Sequence, residues 1–328
     1  MSAGLTVGIV GCGLIGRKRA RALPGGRLVA TADAVPERAR DLAAAAKDAR
    51  AYPDWQALVA SKPDVVIVAT RHDSLAEISA AAAAGGCHVL VEKPAGRTAA
   101  ELAPVAAAAR RSGALVRVGF NHRYHRALRK ARQLVDEGAL GELLFVRGRY
   151  GHGGRLGYEK EWRADPKASG GGELIDQGPH LIDLARWFLG DFATVLGEAT
   201  TLFWNMPVDD NAFMLLGTAS GKRAFLHVSA SEWKNLFSLE IYGRDGKLDI
   251  SGLGGSYGVE RITWYRMLPE MGPPETTAWE YPMEDDSWSA EFAAFAEDIR
   301  LGRQPQPGLA DAAAVLDVIA GIYAGRRR

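Results

Sequence analysis

The sequence has few cysteines and no excess of charge of either sign. Its 328 residues include two cysteines, 40 basic residues and 39 acidic residues, so the formal net charge is +1. Two cysteines are too few for a disulfide framework, and we expect both Cys12 and Cys87 to be free thiols of a cytoplasmic protein. The balanced charge favours neither nucleic acid nor an anionic membrane surface as a partner.

Long apolar runs are lacking as well. None approaches the roughly 18 apolar residues that a membrane helix needs. The chain enters its first strand at Leu5 without a basic segment followed by an apolar stretch, so we expect no export signal. A chain of this length is about twice the usual size of one domain, and we expect two domains.

The first part of the chain alternates short β-branched runs with helical periods, which is typical of repeated βαβ units around a buried parallel sheet. This pattern predicts an N-terminal doubly wound Rossmann domain over residues 1–122. The predicted strands are Leu5–Val10, Leu28–Ala32, Val65–Ala69, His88–Glu92 and Leu115–Phe120.

The pattern then changes to strands separated by turns, which predicts a C-terminal α+β domain over residues 123–328 with a large, open and mainly antiparallel sheet. A helix over Tyr124–Glu137 precedes the strands. Two closing helices, Trp288–Leu301 and Leu309–Ala324, are expected to pack against one of the domains. The predicted strands are Glu142–Tyr150, Val195–Trp204, Ala212–Ala219, Arg223–Ser231, Leu236–Tyr242 and Lys247–Ser251.

A glycine-rich turn follows the first strand and opens a helix. It has the G-x-G-x-x-G spacing, whose backbone amides and helix dipole favour a dinucleotide pyrophosphate. Asp33 ends the next strand, where a carboxylate can accept hydrogen bonds from the adenosine ribose hydroxyls and repels a 2′-phosphate. We therefore predict NAD rather than NADP as the cofactor, although nearby Arg38 can weaken that preference. The turn consists of Gly11, Cys12, Gly13, Leu14, Ile15 and Gly16.

Lys93, in the segment Glu92-Lys93-Pro94, lies at the end of an apolar strand. Open parallel sheets bind ligands at this edge, where an ammonium can donate to a substrate hydroxyl and stabilise alkoxide charge. The alternative is a solvated lysine at a strand end.

A third motif lies within the glycine-rich segment 170–183. The spacing of Asp176, His180 and Asp183 puts all three on one face if the segment is helical. Histidine is suited to proton transfer near neutral pH, and a carboxylate one turn away can orient it. A metal site and a helix salt bridge are alternatives. Pro179 implies that the helix either begins near Gln177 or is kinked there.

Together these motifs resemble the glucose-fructose oxidoreductase, inositol dehydrogenase and rhizopine-catabolism (Gfo/Idh/MocA) family over nearly the whole chain. Further matches are Gly119-Phe120-Asn121-His122-Arg123, Trp162-Arg163 and Leu184-Ala185-Arg186-Trp187. After Thr70 the sequence departs from the family's Ala-Thr-Pro-Asn pattern.

The resemblance implies a nicotinamide cofactor and a catalytic group of Lys93, Asp176 and His180, with His180 as acid/base. It implies a cis peptide before Pro94, no metal, and a homodimer or homotetramer formed through the open sheet. The expected cofactor contacts are the glycine turn, Asp33, Arg38, Thr70, Glu92, Lys93 and Asn121. The expected substrate contacts are Lys93, Arg123, Tyr150, Trp162, Arg163, Asp176 and His180.

We expect NAD-dependent oxidation of a sugar, sugar-derivative or polyol hydroxyl, or reduction of the matching ketone. Two alternatives are an NAD-assisted glycosidase without net redox and a regulator that only binds NAD or sugar. The arginines and aromatic residues between Arg147 and Arg163 further suggest an anionic sugar, although alternating strand residues that face solvent would show the same pattern.

Overall fold

The computed structural model describes residues 4–325, which form two compact units. The first unit contains the chain up to Asn121 together with Trp288–Ala313, and the second contains His122–Ser287 and the chain from Ala314 onward. No helix within the described range is both long and apolar enough to cross a membrane.

The first unit contains a six-stranded parallel sheet in the order β3-β2-β1-β4-β5-β6, as expected of a Rossmann domain. The central strands are almost wholly buried because helices flank a parallel sheet on both faces. The strands are β1 (Leu5–Val10), β2 (Gly26–Ala32), β3 (Arg50–Ala51), β4 (Val65–Val68), β5 (His88–Glu92) and β6 (Val116–Gly119). The helices are α1 (Leu14–Arg21), α2 (Pro36–Ala44), α3 (Trp55–Ala60), α4 (His72–Ala84) and α5 (Leu102–Ser112).

The second unit begins with helices and one long strand. These are α6 (Arg126–Asp136), β7 (Leu143–Gly151), α7 (Pro166–Ser169), α8 (Glu173–Asp176) and α9 (Gly178–Leu189). The remaining strands are β8 (Phe192–Thr200), β9 (Asn211–Thr218), β10 (Arg223–Ser229), β11 (Leu236–Gly243), β12 (Gly246–Ser251), β13 (Glu260–Arg266) and β14 (Glu275–Tyr281).

These strands form one eight-stranded sheet in the order β14-β13-β12-β11-β7-β10-β9-β8. Only β7 and β10 pair in parallel, which agrees with the mainly antiparallel sheet predicted. Buried and exposed residues alternate along β7, β9 and β10, and α9 packs against β7 and β10. The sheet therefore has one covered face and one face that carries exposed side chains.

The closing helices are α10 (Ser287–Leu301) and α11 (Leu309–Gly325). Phe292 and Phe295 of α10 belong to the same buried cluster as Val7, Ile9 and Leu90 of the Rossmann sheet. These two aromatic side chains complete the core of the first unit.

Candidate active site

The glycine turn of the first unit has the geometry of a dinucleotide loop. Gly11 has a φ of +92°, and a Cβ on Gly16 would lie 1.9 Å from the carbonyl oxygen of Gly11, so neither position accepts a larger residue. A Cβ on Gly13, by contrast, would meet no atom within 4 Å. Gly13 directly precedes α1, so an approaching phosphate meets open space and the positive end of a helix. The residues present thus suit a pyrophosphate.

Asp33 lies beside this loop at the end of β2. Its carboxylate oxygens accept hydrogen bonds from the amides of Cys12 (2.6 Å) and Val35 (2.8 Å). Arg38 is exposed in the first turn of α2. Burial, with the Asp33 charge as a second cause, raises the pKa of the Cys12 thiol to about 12. Cys12 is therefore a neutral packing residue, and Asp33 is the charged group next to the loop.

Thr70, Lys93 and Asn121 follow the ends of β4, β5 and β6, which are neighbours in the sheet. The backbone of Thr70 adjoins Gly11, because a Cβ on Gly11 would lie 2.9 Å from the Thr70 nitrogen. Lys93 is partly exposed, Asn121 is buried, and the Lys93–Pro94 peptide is cis, which confirms that prediction. The Glu92 carboxylate pairs with Arg19, so a cofactor contact from Glu92 stays a prediction.

In the second unit, the segment 170–183 is two helices rather than one. The one-turn α8 ends at Asp176, and α9 restarts at Gly178 with Pro179 in its first turn, where a missing amide hydrogen costs nothing. Of the two interpretations of Pro179, the structure therefore supports a helix that begins near Gln177. The three residues predicted to share one helical face are therefore divided between two helices, with Asp176 at the end of α8 and His180 and Asp183 one turn apart in α9.

The two aspartates of this segment have different partners. Asp176 accepts a hydrogen bond from Arg163 Nε at 2.8 Å, and this carboxylate raises the pKa of the Arg163 guanidinium. Asp183 accepts two hydrogen bonds from Arg123, at 2.6 and 2.8 Å, in a buried bidentate pair. Arg123 as a substrate ligand stays a prediction, because its side chain is only 9% exposed and is engaged with Asp183.

His180 is buried and stacks on His122, with ring centroids 3.7 Å apart and an interplanar angle of 27°. The Tyr150 ring lies 5.1 Å from His122 and 6.0 Å from His180. Two stacked imidazoles disfavour simultaneous protonation because like charges repel. His122 lies in the segment Gly119-Phe120-Asn121-His122-Arg123 but was not predicted as a site residue, since only tertiary packing brings it to His180.

Three buried or half-buried tyrosines lie in the same unit: Tyr150 beside the two histidines, Tyr257 against Tyr150, and Tyr158 against His152. Burial, as the largest cause, raises the pKa of Tyr150 well above its usual value, raises that of Tyr158, and raises that of Tyr257 to about 12. Tyr150 and Tyr257 are hydrogen-bonded to each other. The three hydroxyls are therefore neutral hydrogen-bonding groups at neutral pH rather than bases.

Glu173 is a third buried carboxylate of the segment 170–183, beside Asp176 and Asp183, and was not predicted as a site residue. Its oxygens lie 3.4 Å from the Tyr158 hydroxyl and 3.5 Å from His152 Nε2. His152 Nδ1 accepts a hydrogen bond from the Gly154 amide, which places the proton of the neutral ring on Nε2, facing Glu173. Burial lowers the pKa of His152 and so favours this neutral ring.

Three of the basic residues between Arg147 and Arg163 have acidic partners. Arg147 pairs with Glu240, Arg155 pairs with Glu161, and Arg163 pairs with Asp176. The Arg163 guanidinium also lies 4.7 Å from the centroid of the Trp162 ring. An incoming phosphate would therefore compete with carboxylates already in place.

One further group could hold a metal by distance alone, since ligand atoms of His125, Glu260 and Asp285 lie within 4.8 Å of one another. Glu260 accepts a hydrogen bond from the Ala127 amide at 3.0 Å, and its other oxygen lies 2.8 Å from His125 Nδ1. These contacts are at the N-terminus of α6, whose partial positive charge disfavours a cation. We interpret the group as a helix cap.

Two family profiles match the chain. The first, described as oxidoreductase family, NAD-binding Rossmann fold, matches residues 5–120, and the second, described as GFO/IDH/MocA C-terminal domain, matches residues 128–249.

Named relatives also align with the chain. Levoglucosan dehydrogenase of Pseudarthrobacter phenanthrenivorans is 31% identical over 242 residues, which are 66% of this chain and 59% of that protein. Inositol 2-dehydrogenase 2 of Saccharopolyspora erythraea is 30% identical over 226 residues, which are 66% of this chain and 64% of that protein. The chain thus spans less than two thirds of the length of either relative.

The solved structure of a levoglucosan dehydrogenase in complex with NADH and L-sorbose superposes with a TM-score of 0.87 at 23% identity. The match covers 98% of this chain and 97% of that one. At this identity the likeness shows the fold.

Proposed function

Because the chain belongs to the Gfo/Idh/MocA family of NAD-binding oxidoreductases, we propose that it is a dehydrogenase of sugars, sugar derivatives or polyols. The observation that supports an acid/base function is the buried His180 in the second unit. Tyr150, whose ring lies 6.0 Å from that of His180, and the nearby Tyr158 and Tyr257 of the same unit hold their protons at neutral pH, whereas an ordinary imidazole titrates near 6.5. His180 is the side chain best suited to exchange a proton with a substrate hydroxyl.

The glycine turn and Asp33 of the first unit would hold NAD, whose nicotinamide supplies the hydride acceptor when it is bound. In this proposal Lys93 donates a hydrogen bond to the reacting oxygen and stabilises its developing negative charge. His180 takes the hydroxyl proton, and Asp176 favours the charged form of His180. Oxidation should therefore become faster as the pH rises and the imidazole loses its proton.

We assign a neutral polyhydroxyl compound as the substrate class. Arg147, Arg155 and Arg163 are paired with carboxylates, which reduces the attraction of these three arginines for an anionic substrate. The two named relatives are dehydrogenases of levoglucosan and inositol, which are uncharged. These observations weigh against the anionic sugar that the sequence suggested.

We also propose that the chain forms a homodimer or homotetramer through the open face of its eight-stranded sheet. Leu196, Leu215 and Phe225 are 58%, 45% and 51% exposed and lie opposite one another in register across β8, β9 and β10. Contiguous exposed apolar residues of this kind mark interaction surfaces.

The test is a screen of inositols, free sugars, sugar phosphates and nucleotide sugars with NAD, in which the absorbance of the reduced cofactor is followed. We expect turnover of one or more neutral compounds and slower turnover of their phosphorylated or nucleotidyl forms. Hydrolysis without accumulation of NADH would instead indicate the NAD-assisted glycosidase. NAD binding without any turnover would indicate a regulator.

The same screen with the His180→Ala variant tests the acid/base function of His180. This substitution should lower kcat by about 10² to 10⁴ and leave NAD affinity nearly unchanged, since general acid/base catalysis contributes a factor of that size. His88→Gln, which replaces a histidine whose Nδ1 accepts a hydrogen bond from the Leu115 amide, is the control and should keep near-normal kcat. A well-folded His180→Ala protein with normal kcat would remove His180 from the mechanism.

A further inference from the structure

Arg19 is a completely buried arginine on α1, the helix that opens at the glycine turn. Its Nε donates to Glu92 Oε1 at 2.6 Å and its Nη1 donates to Glu291 Oε2 at 2.6 Å. The guanidinium carbon lies 4.4 Å from the centroid of the Trp288 ring. One guanidinium thus joins α1, the end of β5 and α10 within the first unit.

The surroundings fix this guanidinium tightly. A Cβ on Gly119, at the end of β6, would lie 2.7 Å from Arg19 Nη2 and 3.1 Å from Glu92 Oε2, so the pair occupies the space that a side chain would fill. The Glu291 side chain has no exposure, and burial raises its pKa. Buried charges are tolerated only when they are paired. Loss of Arg19 would remove the one guanidinium that is hydrogen-bonded to both buried carboxylates, Glu92 and Glu291.

Glu92 directly precedes Lys93, and the carbonyl of Glu92 accepts a hydrogen bond from the Ala95 amide at 2.9 Å. The ion pair therefore holds the strand end and the turn from which Lys93 extends. We propose that Arg19, held in turn by Glu291, is a positioning residue for Lys93, an inference that rests on the role of Lys93 in the proposed function. Arg19 contacts neither substrate nor cofactor in this proposal and acts through the backbone at Glu92.

The same unit contains a second buried arginine that serves as a matched control. Arg117 of β6 is 1% exposed, pairs with Asp298 of α10 at 2.5 Å and lies 5.7 Å from the Phe295 ring. It therefore joins the sheet to α10 with the same chemistry as Arg19. In register, however, Arg117 is opposite Leu90, two residues before Glu92, and its carboxylate partner is not next to Lys93.

The experiment compares Arg19→Met with Arg117→Met in the full chain. Both variants should lower the melting temperature, because Arg19→Met removes the guanidinium that pairs with both Glu92 and Glu291, and Arg117→Met removes one of the two arginines, Arg117 and Arg303, that pair with the buried Asp298. Arg19→Met should lower kcat by about tenfold to a hundredfold, which is the usual cost of a misplaced catalytic group, while Arg117→Met should stay within about twofold. NADH affinity, measured by fluorescence, should change by less than about threefold in both, because neither residue lies at the glycine turn.

A second measurement, hydrogen–deuterium exchange of the amides of Lys93, Ala95, Gly96 and Arg97, does not depend on activity. Exchange there should accelerate in Arg19→Met and stay at the wild-type rate in Arg117→Met. Arg19→Lys keeps the positive charge but lacks the planar guanidinium that donates to Glu92 and Glu291 at once, so it should show a smaller effect in the same direction. It replaces Arg19→Met in the comparison if Arg19→Met does not fold. Guanidinium ion at low, non-denaturing concentration should partly restore the kcat of Arg19→Ala.

Equal loss of kcat in the Arg19 and Arg117 variants, or unchanged exchange at residues 93–97 in every Arg19 variant, would overturn the inference. Failure of the proposed function looks different. In that case the wild-type protein reduces no NAD with any polyol, and the exchange data alone decide whether Arg19 orders the turn at Lys93.

Discussion

At the end of β2, two backbone amides hold the carboxylate of Asp33 in one orientation. The Cys12 amide belongs to the glycine turn, and the Val35 amide precedes α2. A carboxylate fixed at this position can accept the ribose hydroxyls of NAD, and its charge repels the 2′-phosphate of NADP. Because Asp33 also holds the Cys12 amide, a substitution there must keep a hydrogen-bond acceptor.

We predict that the wild-type protein prefers NAD to NADP by about tenfold to a hundredfold in kcat/KM, roughly 1 to 3 kcal/mol for a partly exposed charge. Asp33→Ser keeps an acceptor near Cys12 and should narrow the difference. Arg38→Ala is the control, since loss of this exposed guanidinium should weaken only the use of NADP. Steady-state kinetics with both cofactors check this, and equal kcat/KM in the wild type would contradict it.

Single residues were predictable where the local sequence determines their environment. The glycine turn and Asp33 follow from spacing along one βαβ unit, and the cis peptide at Lys93–Pro94 agrees with the family resemblance. His122 and Glu173 were not predictable as site residues. Their partners, His180 for the first and His152 with Tyr158 for the second, come from other elements and are brought close only by packing.

At the scale of elements, the break at Gln177 decides what the segment 170–183 can do. A continuous helix would line up Asp176, His180 and Asp183, but the chain restarts at Gly178. The two aspartates pair with different arginines. Asp176, before the break, pairs with Arg163, and Asp183, after it, pairs with Arg123. Pro179 indicates the break in the sequence itself, whereas the hydrogen bonds from the Gly172 and Leu174 amides to the buried carboxylate of Asp209 are tertiary contacts that the local pattern does not show.

We expect Asp183→Asn to lower mainly the stability of the fold and Asp176→Asn to lower mainly kcat. Asp183→Asn weakens a buried bidentate pair with Arg123 and should destabilise the fold by up to about 3 to 5 kcal/mol, with kcat of the folded protein changed by less than about threefold. Asp176→Asn should cost less stability, because Arg163 is 31% exposed, and should lower kcat by about tenfold or more. Denaturant unfolding and kcat measured in parallel test this. A larger kcat loss in the Asp183 variant would reverse the two roles.

Some strands escaped prediction for a physical reason. β14 lies at the edge of the second sheet, and most of its residues are exposed, so it lacks the alternation of buried and exposed positions that marks a half-buried strand. β13 pairs with it across a loop that contains Pro273 and Pro274. The two-residue β3 is at the edge of the first sheet. Edge strands bury less surface and therefore give a weaker sequence pattern.

At the scale of the whole molecule, the chain leaves the first unit at Asn121 and returns to it at Trp288. The domain boundary predicted near residue 122 corresponds to the point where the chain leaves the first unit, and it does not include the return at Trp288. Periodicity predicted α10 as a helix but left open which core it joins, because its apolar face would suit either. Phe292 and Phe295 supply the answer through their contacts with the Rossmann core.

The open face of the second sheet has polar and apolar halves. Arg147, Glu240 and Tyr242 form a hydrogen-bonded group on β7 and β11, and the Arg147 hydrogen bond holds the pKa of Glu240 at about 2. Across β10, β9 and β8 the same register continues with Phe225, Leu215 and Leu196. An apolar surface beside a polar one is the usual composition of a protein interface.

We therefore predict that the wild-type protein sediments as a dimer or tetramer, and that Leu215→Glu or Phe225→Glu shifts it to a smaller species. Burial of a large apolar side chain contributes about 1.5 to 3 kcal/mol, and a glutamate at the same place would have to lose its hydration. Leu301→Glu is the matched control, since Leu301 is 50% exposed on α10 and lies outside this face. Sedimentation velocity at several concentrations measures the outcome. A monomeric wild type, or a variant on β9 or β10 that keeps the wild-type assembly, would show that this face is not the contact between copies of the chain.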